Sequence, residues 1–552
     1  MGFIKKVFHL PPQNELRFLV PQSTTTPPLV YVTVGCAEIN GLELPSSPLN
    51  TSLPPPTDPS NPPIPSSVPT IIPPGSKLSI FTWYGCELMV VYHSSLEELG
   101  YDMYTSDETG MIAAINIHSQ LEAMRESCAS GLESTSTSPS PSTSASASAS
   151  KQSPPPRVLV LGDADSGKTT LCKILTSYAT KLGRKPILVD LDPTRGSIYP
   201  STIGVSRCGF KHSNVQTLTQ GEFHVGGQDV FSSTGGRSSN DGGSLVYYFG
   251  RKTVDEKSEK FFNELVNHMG EVVRERIVES GGNGALGGGS SGTNNEFSSG
   301  VIVNFIGEVK VTSPAYLSSI QTAIKAFNVN VVLVVDHPRL FNKLAPIVGS
   351  SATVVKVAKP SGVEKRDGEF RRREKFTRFK EVLYGYSFDG EGLLKSIKDG
   401  ESGENNNEDS MMVDGENSGG AAGVGHALKP MNWTKPYESL FFYNLETVDV
   451  ADTMLPVGHQ QVSESITLRQ IPLEELHSKF SHAICAVCQP EAVLKYNESG
   501  RGADLTMSAV AGLVTISAVN VETGRVSLLS PVGEELPSLV FLVGDGAQTF
   551  VE

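Results

Sequence analysis

The chain has 552 residues, enough for about two to four domains of ordinary size. Its 45 basic and 59 acidic residues give a net charge of −14, which argues against a protein that grips nucleic acid through general positive charge. Aromatic residues make up 7% and the hydrophobic class 38%, whereas 53 residues are glycine and 36 are proline. This composition predicts that part of the chain lies outside any hydrophobic core.

The sequence favours a reducing compartment. Its seven cysteines do not form a disulfide scaffold. The only close pair, Cys485 and Cys488, lacks a second ligand pair at the loop spacing of a zinc site, although His477 and His482 lie just upstream. We interpret both as buried thiols. No signal-peptide core opens the chain, and no apolar run approaches the roughly 20 residues of a membrane span. We expect the cytoplasm or the nucleus.

Residues 1–128 are predicted to form a small β domain, closed by a helix around residues 113–127. A Pro/Ser/Thr-rich stretch at 45–75 is interpreted as a loop insertion. Residues 129–156 are almost entirely Ser, Pro, Thr and Ala, which predicts a disordered linker. The strand-like apolar runs lie at residues 16–20, 29–34, 78–83 and 88–92.

Residues 157–395 alternate strands with helices, with Gly/Ser/Asn-rich insertions at 232–244 and 279–299. Continuous Val/Ile/Leu strands separated by helices predict a parallel sheet covered on both faces. The predicted strands are 158–161, 186–190, 245–249, 301–305, 331–335 and 353–357. The predicted helices are 168–182, 256–278, 313–327 and 338–347.

After an acidic linker at 396–432, residues 433–552 are predicted to form a second small β domain. Its clearest strand-like runs are 510–516, 525–529 and 539–543. The predicted fold class is therefore α/β, with a central parallel sheet flanked by two small β domains.

A phosphate-binding loop is predicted where residues 162–169, Gly-Asp-Ala-Asp-Ser-Gly-Lys-Thr, fit the pattern G-x-x-x-x-G-K-[ST] between a strand and a helix. The glycines let backbone N–H groups wrap around phosphate oxygens, and the helix N-terminus adds positive potential. Lys168 is expected to reach the β- and γ-phosphates, and the Thr169 hydroxyl to hold Mg²⁺. The pattern predicts ATP or GTP binding, in a central P-loop NTPase domain.

Two carboxylates end the next predicted strand, Asp190 and Asp192. An acid at the tip of the strand beside a P-loop can hold the magnesium shell or accept a proton from an attacking hydroxyl. Asp192 is the outermost and the preferred candidate for both roles. For Asp190, a role in capping the turn is an equal alternative.

Residues 365–380 are the densest basic stretch, and three interpretations of it stay open. Arg373 and Arg378, five residues apart, could close as a lid over a transferring phosphoryl group. Glu369 and Glu374 are interleaved with the arginines, which also suits a solvated helix face. A nuclear localisation signal is the third interpretation.

Together these motifs resemble the polyribonucleotide 5′-hydroxyl kinase family of P-loop NTPases, in its Clp-type branch of mRNA cleavage and polyadenylation subunits. The P-loop alone would indicate only an NTPase, whereas its combination with Glu-Leu-Arg-Phe and Phe-Thr-Trp-x-Gly-Cys is more specific. The matching segments are 15–18, 35–44, 77–86, 162–170, 177–179, 190–192, 196–197, 246–250, 370–385, 455–458 and 508–512.

The resemblance implies roles for residues that composition does not single out. Glu15 and Lys77 match family positions that contact the nucleotide from the N-terminal domain; taken alone they suggest a surface ion pair. If the chain is active, the implied catalytic residues are Lys168, Asp192, Arg373 and Arg378; the lid position does not align uniquely, so Arg372 is a further candidate for it. The implied Mg²⁺ residues are Thr169 and Asp192. The matching phosphate positions are Gly162, Asp165, Ser166, Gly167, Lys168, Thr169 and Thr170.

The chain departs from active members of the family at two places. Thr194 and Arg195 stand where a Gly-Gln pair follows the acid, and Glu308 stands where a Trp clasps the γ-phosphate side. A carboxylate near a triphosphate repels it and cannot stack as an indole does. The resemblance thus implies that ATP binding is kept while two catalytic supports are altered.

We therefore expect a nuclear, ATP-bound subunit of pre-mRNA 3′-end cleavage and polyadenylation, in which ATP acts mainly structurally. The alternative is an active kinase that moves the γ-phosphoryl of ATP to an RNA 5′-hydroxyl; a general P-loop NTPase switch is the third interpretation. The partners implied by the resemblance are scaffold subunits of the cleavage factor, the tRNA splicing endonuclease, and RNA bound through the complex.

Overall fold

A computed structural model describes thirteen segments of the chain: residues 2–21, 23–46, 69–136, 153–194, 201–208, 245–251, 253–282, 298–307, 313–349, 351–384, 430–447, 466–531 and 536–544. The described residues up to Thr109 form one compact unit. Those from Gly110 to Leu383, together with those from Pro430 onward, form a second. Most of the predicted insertions and linkers lie outside the described residues.

The N-terminal unit is a β sandwich, which confirms the predicted small β domain. Its two sheets have the strand orders β1-β8-β3-β6 and β5-β4-β7-β2-β9. Alternate residues of each strand point into a shared apolar core that includes Leu16, Ile80 and Leu88. The elements are β1 Phe3–Leu10, β2 Asn14–Leu19, β3 Leu29–Gly35, β4 Glu38–Ile39, β5 Leu42–Glu43, β6 Thr70–Ile71, β7 Lys77–Thr82, β8 Cys86–His93, α1 Ser95–Glu98 and β9 Asp102–Ser106.

The long helix α2, Met111–Ser136, lies in the second unit, although we predicted that it closes the N-terminal domain. It packs against α3, Lys168–Lys181. The buried Arg125 guanidinium donates to Ser299 O at 2.9 Å, and Glu122 pairs with Arg184. These polar contacts attach the helix to the central domain. The helix also continues eight residues into the segment predicted as a linker.

The central sheet has the order β13-β12-β11-β14-β10-β15-β16, with β10 flanked by parallel β14 and β15. This confirms the predicted α/β class. One strand differs: β12 runs antiparallel between β11 and β13. It was not predicted because Ile203 and Val205 are its only large apolar residues. The strands are β10 Arg157–Gly162, β11 Ile187–Asp190, β12 Thr202–Arg207, β13 Leu245–Tyr248, β14 Val301–Asn304, β15 Val331–Val335 and β16 Thr353–Val357.

The helices of the central domain fall close to their predicted ranges. They are α4 Glu259–Gly282, α5 Pro314–Ala326, α6 Pro338–Val348 and α7 Gly368–Tyr384, besides α3. The basic stretch identified in the sequence forms most of α7. Within the described ranges, no helix is both long enough and apolar enough to cross a membrane.

The C-terminal domain is a mixed seven-stranded sheet with the order β17-β22-β21-β20-β23-β18-β19. The strands are β17 Met431–Pro436, β18 Phe441–Thr447, β19 Ile466–Gln470, β20 Ile484–Cys488, β21 Val510–Asn520, β22 Arg525–Ser530 and β23 Val540–Gly544. The short helices α8 Leu473–Lys479, α9 Pro490–Ser499 and α10 Ala503–Thr506 were not predicted.

Cys485 and Cys488 both lie in β20 and are buried, as predicted. Burial raises the pKa of both thiols, that of Cys488 to about 12. They are therefore protonated and unreactive at neutral pH.

The C-terminal sheet contacts the end of β13, at the edge of the central sheet, through the Tyr248 side chain and through two glycines. The Tyr248 hydroxyl donates to Ile484 O at 3.2 Å and accepts from Gly544 N at 3.3 Å. Gly544 lies so close to Gly250 that a Cβ on it would come 1.9 Å from Gly250 O. The two domains thus pack at a position that tolerates only glycine.

Candidate nucleotide-binding site

The candidate site lies at the C-terminal edge of the central parallel sheet. Residues 163–167 leave β10 at this edge and lead directly into α3. Asn304, the last residue of β14, pairs in register with Asp190 of β11 and with Val160 of β10. Because parallel strands end at one edge, these side chains are brought beside the loop.

The loop has the backbone that the sequence pattern predicts. Gly167 adopts a left-handed φ of 95° immediately before α3, and Asp165 also has a positive φ, 56°. A Cβ on Gly162 would lie 2.6 Å from Val335 O, so only glycine fits there. The strand–loop–helix context of the motif is confirmed.

Lys168 is held inside the loop. It is 5% exposed, and its Nζ donates to Asp163 O at 2.6 Å. Gly307 lies directly beside it, since a Cβ at that position would come 2.5 Å from Nζ and 3.0 Å from Ala164 Cα. The ammonium is thus positioned at the centre of the loop by backbone that leaves no room for a larger residue.

Ser166 supplies a further polar group in the loop. Its side chain is buried, and its Oγ has no hydrogen-bond partner among the described atoms. A buried hydroxyl without a partner is costly unless a ligand satisfies it. Together with Lys168 and the left-handed glycine, this hydroxyl fits a phosphate group. Thr170, the last predicted phosphate position, is exposed at the first turn of α3.

Thr169, Asn304 and Asp190 form a buried hydrogen-bonded cluster beside the loop. Asn304 Nδ2 donates to Asp190 Oδ1 at 2.9 Å and lies 3.3 Å from Thr169 Oγ1. Asn304 was missed in the sequence. The available signal was its position as the first polar residue after the apolar run 301–303, the same signal that identified Asp190.

Asp192 and its neighbours form a tight turn after β11. Its backbone N–H donates to Asp190 Oδ1 at 3.1 Å, so Asp190 does act as a turn-capping acid. The Oδ1 atom of Asp192 accepts from Thr194 N at 3.1 Å and also from the Thr194 hydroxyl. Thr194 therefore occupies one oxygen of the predicted acid. Arg195 and Glu308 lie outside the described residues.

No cluster of three or more Cys, His, Asp or Glu side chains suited to a metal ion occurs among the described residues. Magnesium at nucleotide sites needs no such cluster, because it takes one or two protein ligands together with phosphates and water. The Thr169 hydroxyl and the adjacent carboxylates fit this pattern.

Asp165 faces α7 and its preceding loop. Its Oδ2 accepts from Arg366 N at 3.0 Å and from the Arg371 guanidinium at 2.5 Å. Partial burial alone would raise the pKa of Asp165, but these hydrogen bonds outweigh it and hold the pKa below its ordinary value. Asp165 therefore ties the basic segment to the P-loop.

The predicted lid arginines differ from the two that reach the loop. Arg373 pairs with Glu369 on the outer face of α7, where both side chains are 58% exposed. The side chain of Arg378 lies outside the described residues. For the part of α7 that includes Arg373, a solvated helix face matches the observed contacts. At the loop, Arg371 donates through its guanidinium and Arg366 through its backbone N–H, whereas the Arg366 guanidinium pairs with Glu374 at 3.0 Å.

His337 is a further residue that sequence reasoning missed. Its Nδ1 accepts from Leu340 N at 2.8 Å and so caps α6. The ring hydrogen is therefore on Nε2, which lies 3.6 Å from Asp163 Oδ1 at the loop. The signal was its position two residues after the end of β15, at the same sheet edge.

Glu15 and Lys77 lie on neighbouring strands of the N-terminal unit. Glu15 pairs across the ladder with Phe81 and Lys77 with Leu19, so the pairing does not place them opposite each other. The buried Glu15 carboxylate accepts from Arg17 Nε at 2.6 Å. The ion pair seen for Glu15 is thus with Arg17.

A parallel sheet with a P-loop between β10 and α3 defines a P-loop NTPase fold. Models of one family match all three parts of the chain: "mRNA cleavage and polyadenylation factor CLP1 P-loop" at 162–385, "Pre-mRNA cleavage complex II protein Clp1" at 428–548, and "N-terminal beta-sandwich domain of polyadenylation factor" at 63–128. The chain belongs to the Clp1 family of P-loop proteins.

Relatives in this family align along nearly the whole chain. The chain is 26% identical to polyribonucleotide 5′-hydroxyl-kinase Clp1 of Xenopus tropicalis, covering 98% of this chain and 93% of that protein. It is 25% identical to the human protein of the same name, with coverage of 98% and 95%. The structure of a Clp1p–Pcf11p complex is similar in fold, with a TM-score of 0.64 at 17% identity and coverage of 99% and 97%.

Proposed function

We propose that this chain is an ATP-binding subunit required for cleavage and polyadenylation in pre-mRNA 3′-end formation, and that ATP acts in it mainly as a structural element. Membership of the Clp1 family supports the role in 3′-end processing. The proposal places the protein in the nucleus, where this processing takes place.

The phosphate-binding groups support nucleotide binding. Lys168 would neutralise the β- and γ-phosphates, the unpartnered Ser166 hydroxyl would donate to a phosphate oxygen, and Thr169 would hold Mg²⁺. By family resemblance, Glu15 and Lys77 would contact the nucleotide from the N-terminal domain. A ligand that binds only the folded state stabilises that state through linkage.

The hydrogen bonding of Asp192 is the observation that supports a structural, rather than a catalytic, role for ATP. A general base needs a free lone pair directed at the hydroxyl that it deprotonates. In this chain Thr194, one of the residues that replace the Gly-Gln pair, donates twice to Asp192 Oδ1. The guanidinium groups nearest the loop are also engaged, since that of Arg371 donates to Asp165 and that of Arg366 pairs with Glu374. This arrangement favours retention of ATP over its turnover.

An active RNA 5′-hydroxyl kinase is the second candidate. The names of the curated relatives favour it, as do the intact Lys168, Thr169 and Asp192. In that reaction Asp192 would accept the proton of the RNA hydroxyl, and Lys168 would stabilise the charge that develops on the transferring phosphoryl group.

For partners, we propose a Pcf11-type scaffold subunit of the cleavage factor, because a Clp1p of similar fold was solved in complex with a Pcf11p segment. The tRNA splicing endonuclease is a second proposed partner. With a net charge of −14, recruitment to RNA is proposed to occur through the complex.

The proposal is tested by measuring the nucleotide content of the purified chain and its binding to a Pcf11-type segment. Lys168→Ala removes the buried ammonium of the loop, whereas Lys181→Ala changes an exposed lysine of the same helix. We expect wild type and Lys181→Ala to retain ATP and to bind the segment. Lys168→Ala should lose ATP and bind the segment more weakly. Binding of the segment that is equal with and without nucleotide would refute a structural role for ATP.

A further inference from the structure

Asn304 connects two residues of the candidate site that belong to different elements. Its Nδ2 carries two hydrogens, one directed at Asp190 Oδ1 at 2.9 Å and the other at Thr169 Oγ1 at 3.3 Å. The side chain is 2% exposed, so water does not compete for these bonds. The register of β11 and β14, which places Asp190 opposite Asn304, fixes the arrangement.

We propose that Asn304 is a positioning residue for the Mg²⁺ that accompanies the nucleotide. Its carboxamide sets the orientation of the Thr169 hydroxyl and of the Asp190 carboxylate. The inference rests on the proposed nucleotide binding and goes beyond it, because it assigns a role to Asn304. It also makes Asp190, rather than Asp192, the carboxylate coupled to Thr169.

Hydrogen-bond geometry explains how an amide can prepare a hydroxyl for a cation. A threonine hydroxyl has one hydrogen and two acceptor lone pairs. When Asn304 donates to Thr169 Oγ1, it occupies one lone pair and turns the hydroxyl hydrogen away from itself. The second lone pair remains for a metal ion. Groups that orient metal ligands in this way contribute to affinity without touching the metal.

The remaining oxygen of Asn304 supports the same conclusion. Its Oδ1 is buried and has no hydrogen-bond partner among the described atoms. An unpartnered buried acceptor needs a donor, and Mg²⁺ at nucleotide sites keeps several of its waters, whose hydrogens are strong donors. Both ends of the Asn304 carboxamide thus suit this role: Nδ2 donates to Thr169 and Asp190, and Oδ1 can accept from metal-bound water.

The test is the increase in ATP affinity caused by Mg²⁺, measured by calorimetry on the full-length chain with Mg²⁺ and with EDTA. Asn304→Leu removes the polar groups at nearly constant volume. Asn444→Leu is the matched control, since Asn444 is also 2% exposed on a strand and its Nδ2 also donates to a carboxylate, that of Glu446, but it lies in the C-terminal sheet. Mn²⁺ in place of Mg²⁺ allows electron paramagnetic resonance of the bound ion as a second readout.

We expect Asn304→Leu to reduce the Mg²⁺-dependent increase in ATP affinity by about 10- to 100-fold, the usual effect of losing a group that orients metal ligands. Affinity in EDTA should stay unchanged, and the Mn²⁺ signal should change. Asn444→Leu should leave the increase intact. In a Thr169→Val background, Asn304→Leu should cause a smaller further loss than in wild type, because part of its effect passes through the Thr169 hydroxyl.

Equal losses with Mg²⁺ and with EDTA would show that Asn304 has only a structural role and would overturn the inference. If Asn304→Leu does not fold, Asn304→Ser, which keeps one donor, should show the same selective loss to a smaller degree. Wild type that binds ATP equally with and without Mg²⁺ would refute this inference but not the proposed function. Wild type that binds no nucleotide would refute both.

Discussion

Arg371 of α7 donates to Asp165 of the P-loop at 2.5 Å, joining two residues that lie 206 positions apart in the chain. This ion pair, with the Arg366 N–H bond to the same carboxylate, fixes the start of the basic helix against the loop. We therefore expect the position of α7 to depend on one side chain of the nucleotide site.

Asp165→Asn should loosen α7 and shorten the residence time of bound nucleotide. The expected loss of stability is about 1 kcal/mol, because Arg371 is 42% exposed and water screens the pair. Hydrogen exchange of residues 366–375 should increase. The control Glu369→Gln breaks the exposed pair with Arg373 and should change neither quantity. Equal exchange in wild type and Asp165→Asn would contradict the account.

The contribution of Asp165 should also depend on pH. Its pKa is lower in the folded chain than in the unfolded chain, so the unfolded state takes up the proton first as the pH falls. The stabilisation is complete above the unfolded pKa of about 3.9 and is lost as the pH drops through the folded value. The stability difference between wild type and Asp165→Asn should therefore shrink below about pH 4.

Gly307→Ala should weaken nucleotide binding strongly with little loss of fold. The added Cβ would come 2.5 Å from Lys168 Nζ and 3.0 Å from Ala164 Cα, so the loop or the ammonium must move. Lys168 carries much of the attraction for phosphate, and we expect affinity to fall by at least about 2 kcal/mol. Gly368→Ala, whose Cβ would meet open space, is the control. Unchanged ATP affinity in Gly307→Ala would show that Lys168 is not held as described.

We expect the folded chain to lose stability in mildly acidic solution because of the buried residue His118. Burial between α2 and α3, with the nearby Arg125, lowers its pKa to about 4, although Glu122 opposes the shift. An unfolded histidine takes up a proton below about pH 6.5, whereas the folded chain resists protonation down to about pH 4. As the pH is lowered from about 6.5 to about 4, the free energy of unfolding should therefore decrease by on the order of 3 kcal/mol.

The variant that checks this is His118→Phe, which keeps a ring against Tyr178 but cannot take up a proton. Thermal unfolding followed across the window should show a steeper decline for wild type than for the variant. Parallel profiles would mean that another group dominates the pH response.

The sequence was sufficient to predict the P-loop, because its residues are contiguous and each serves a local backbone need. It was not sufficient for the Asn304 cluster, which depends on the register of β11 against β14. Nor did it identify Arg371 as the partner of Asp165, since charge spacing along a helix does not show which face meets the loop. Arg373 and Arg378 were named together for their spacing, and Arg373 lies on the outer face.

Strand β12 and helix α2 illustrate the same limit in the fold. Strand β12 has too few apolar residues to be recognised by alternation, and it forms because β11 and β13 pair with it on both sides. Helix α2 was recognised as a helix, but its polar contacts with Arg184 and Ser299 assign it to the central domain. The local pattern of apolar residues predicts which helix or strand forms. Contacts with residues distant in the chain decide which sheet or domain it joins.

Restoring the family residues should make turnover measurable if Thr194 restrains Asp192. Thr194→Gly removes the hydroxyl donor to Asp192 Oδ1, and Arg195→Gln and Glu308→Trp restore the other two altered positions. We expect the triple variant to transfer phosphate at least about 100-fold above the background measured with wild type, the lower end of the usual range for a positioned base. Adding Asp192→Asn should remove the gain. No gain in the triple variant would show that these positions do not limit turnover.

The most direct measurement for the whole account is transfer of the γ-phosphoryl group from labelled ATP to a short 5′-hydroxyl RNA, with Lys168→Ala as the blank and nucleotide content read in parallel. The account predicts that wild type transfers no label and that ATP is recovered intact from the protein. Label on the RNA that disappears in Lys168→Ala would contradict it and identify an active kinase.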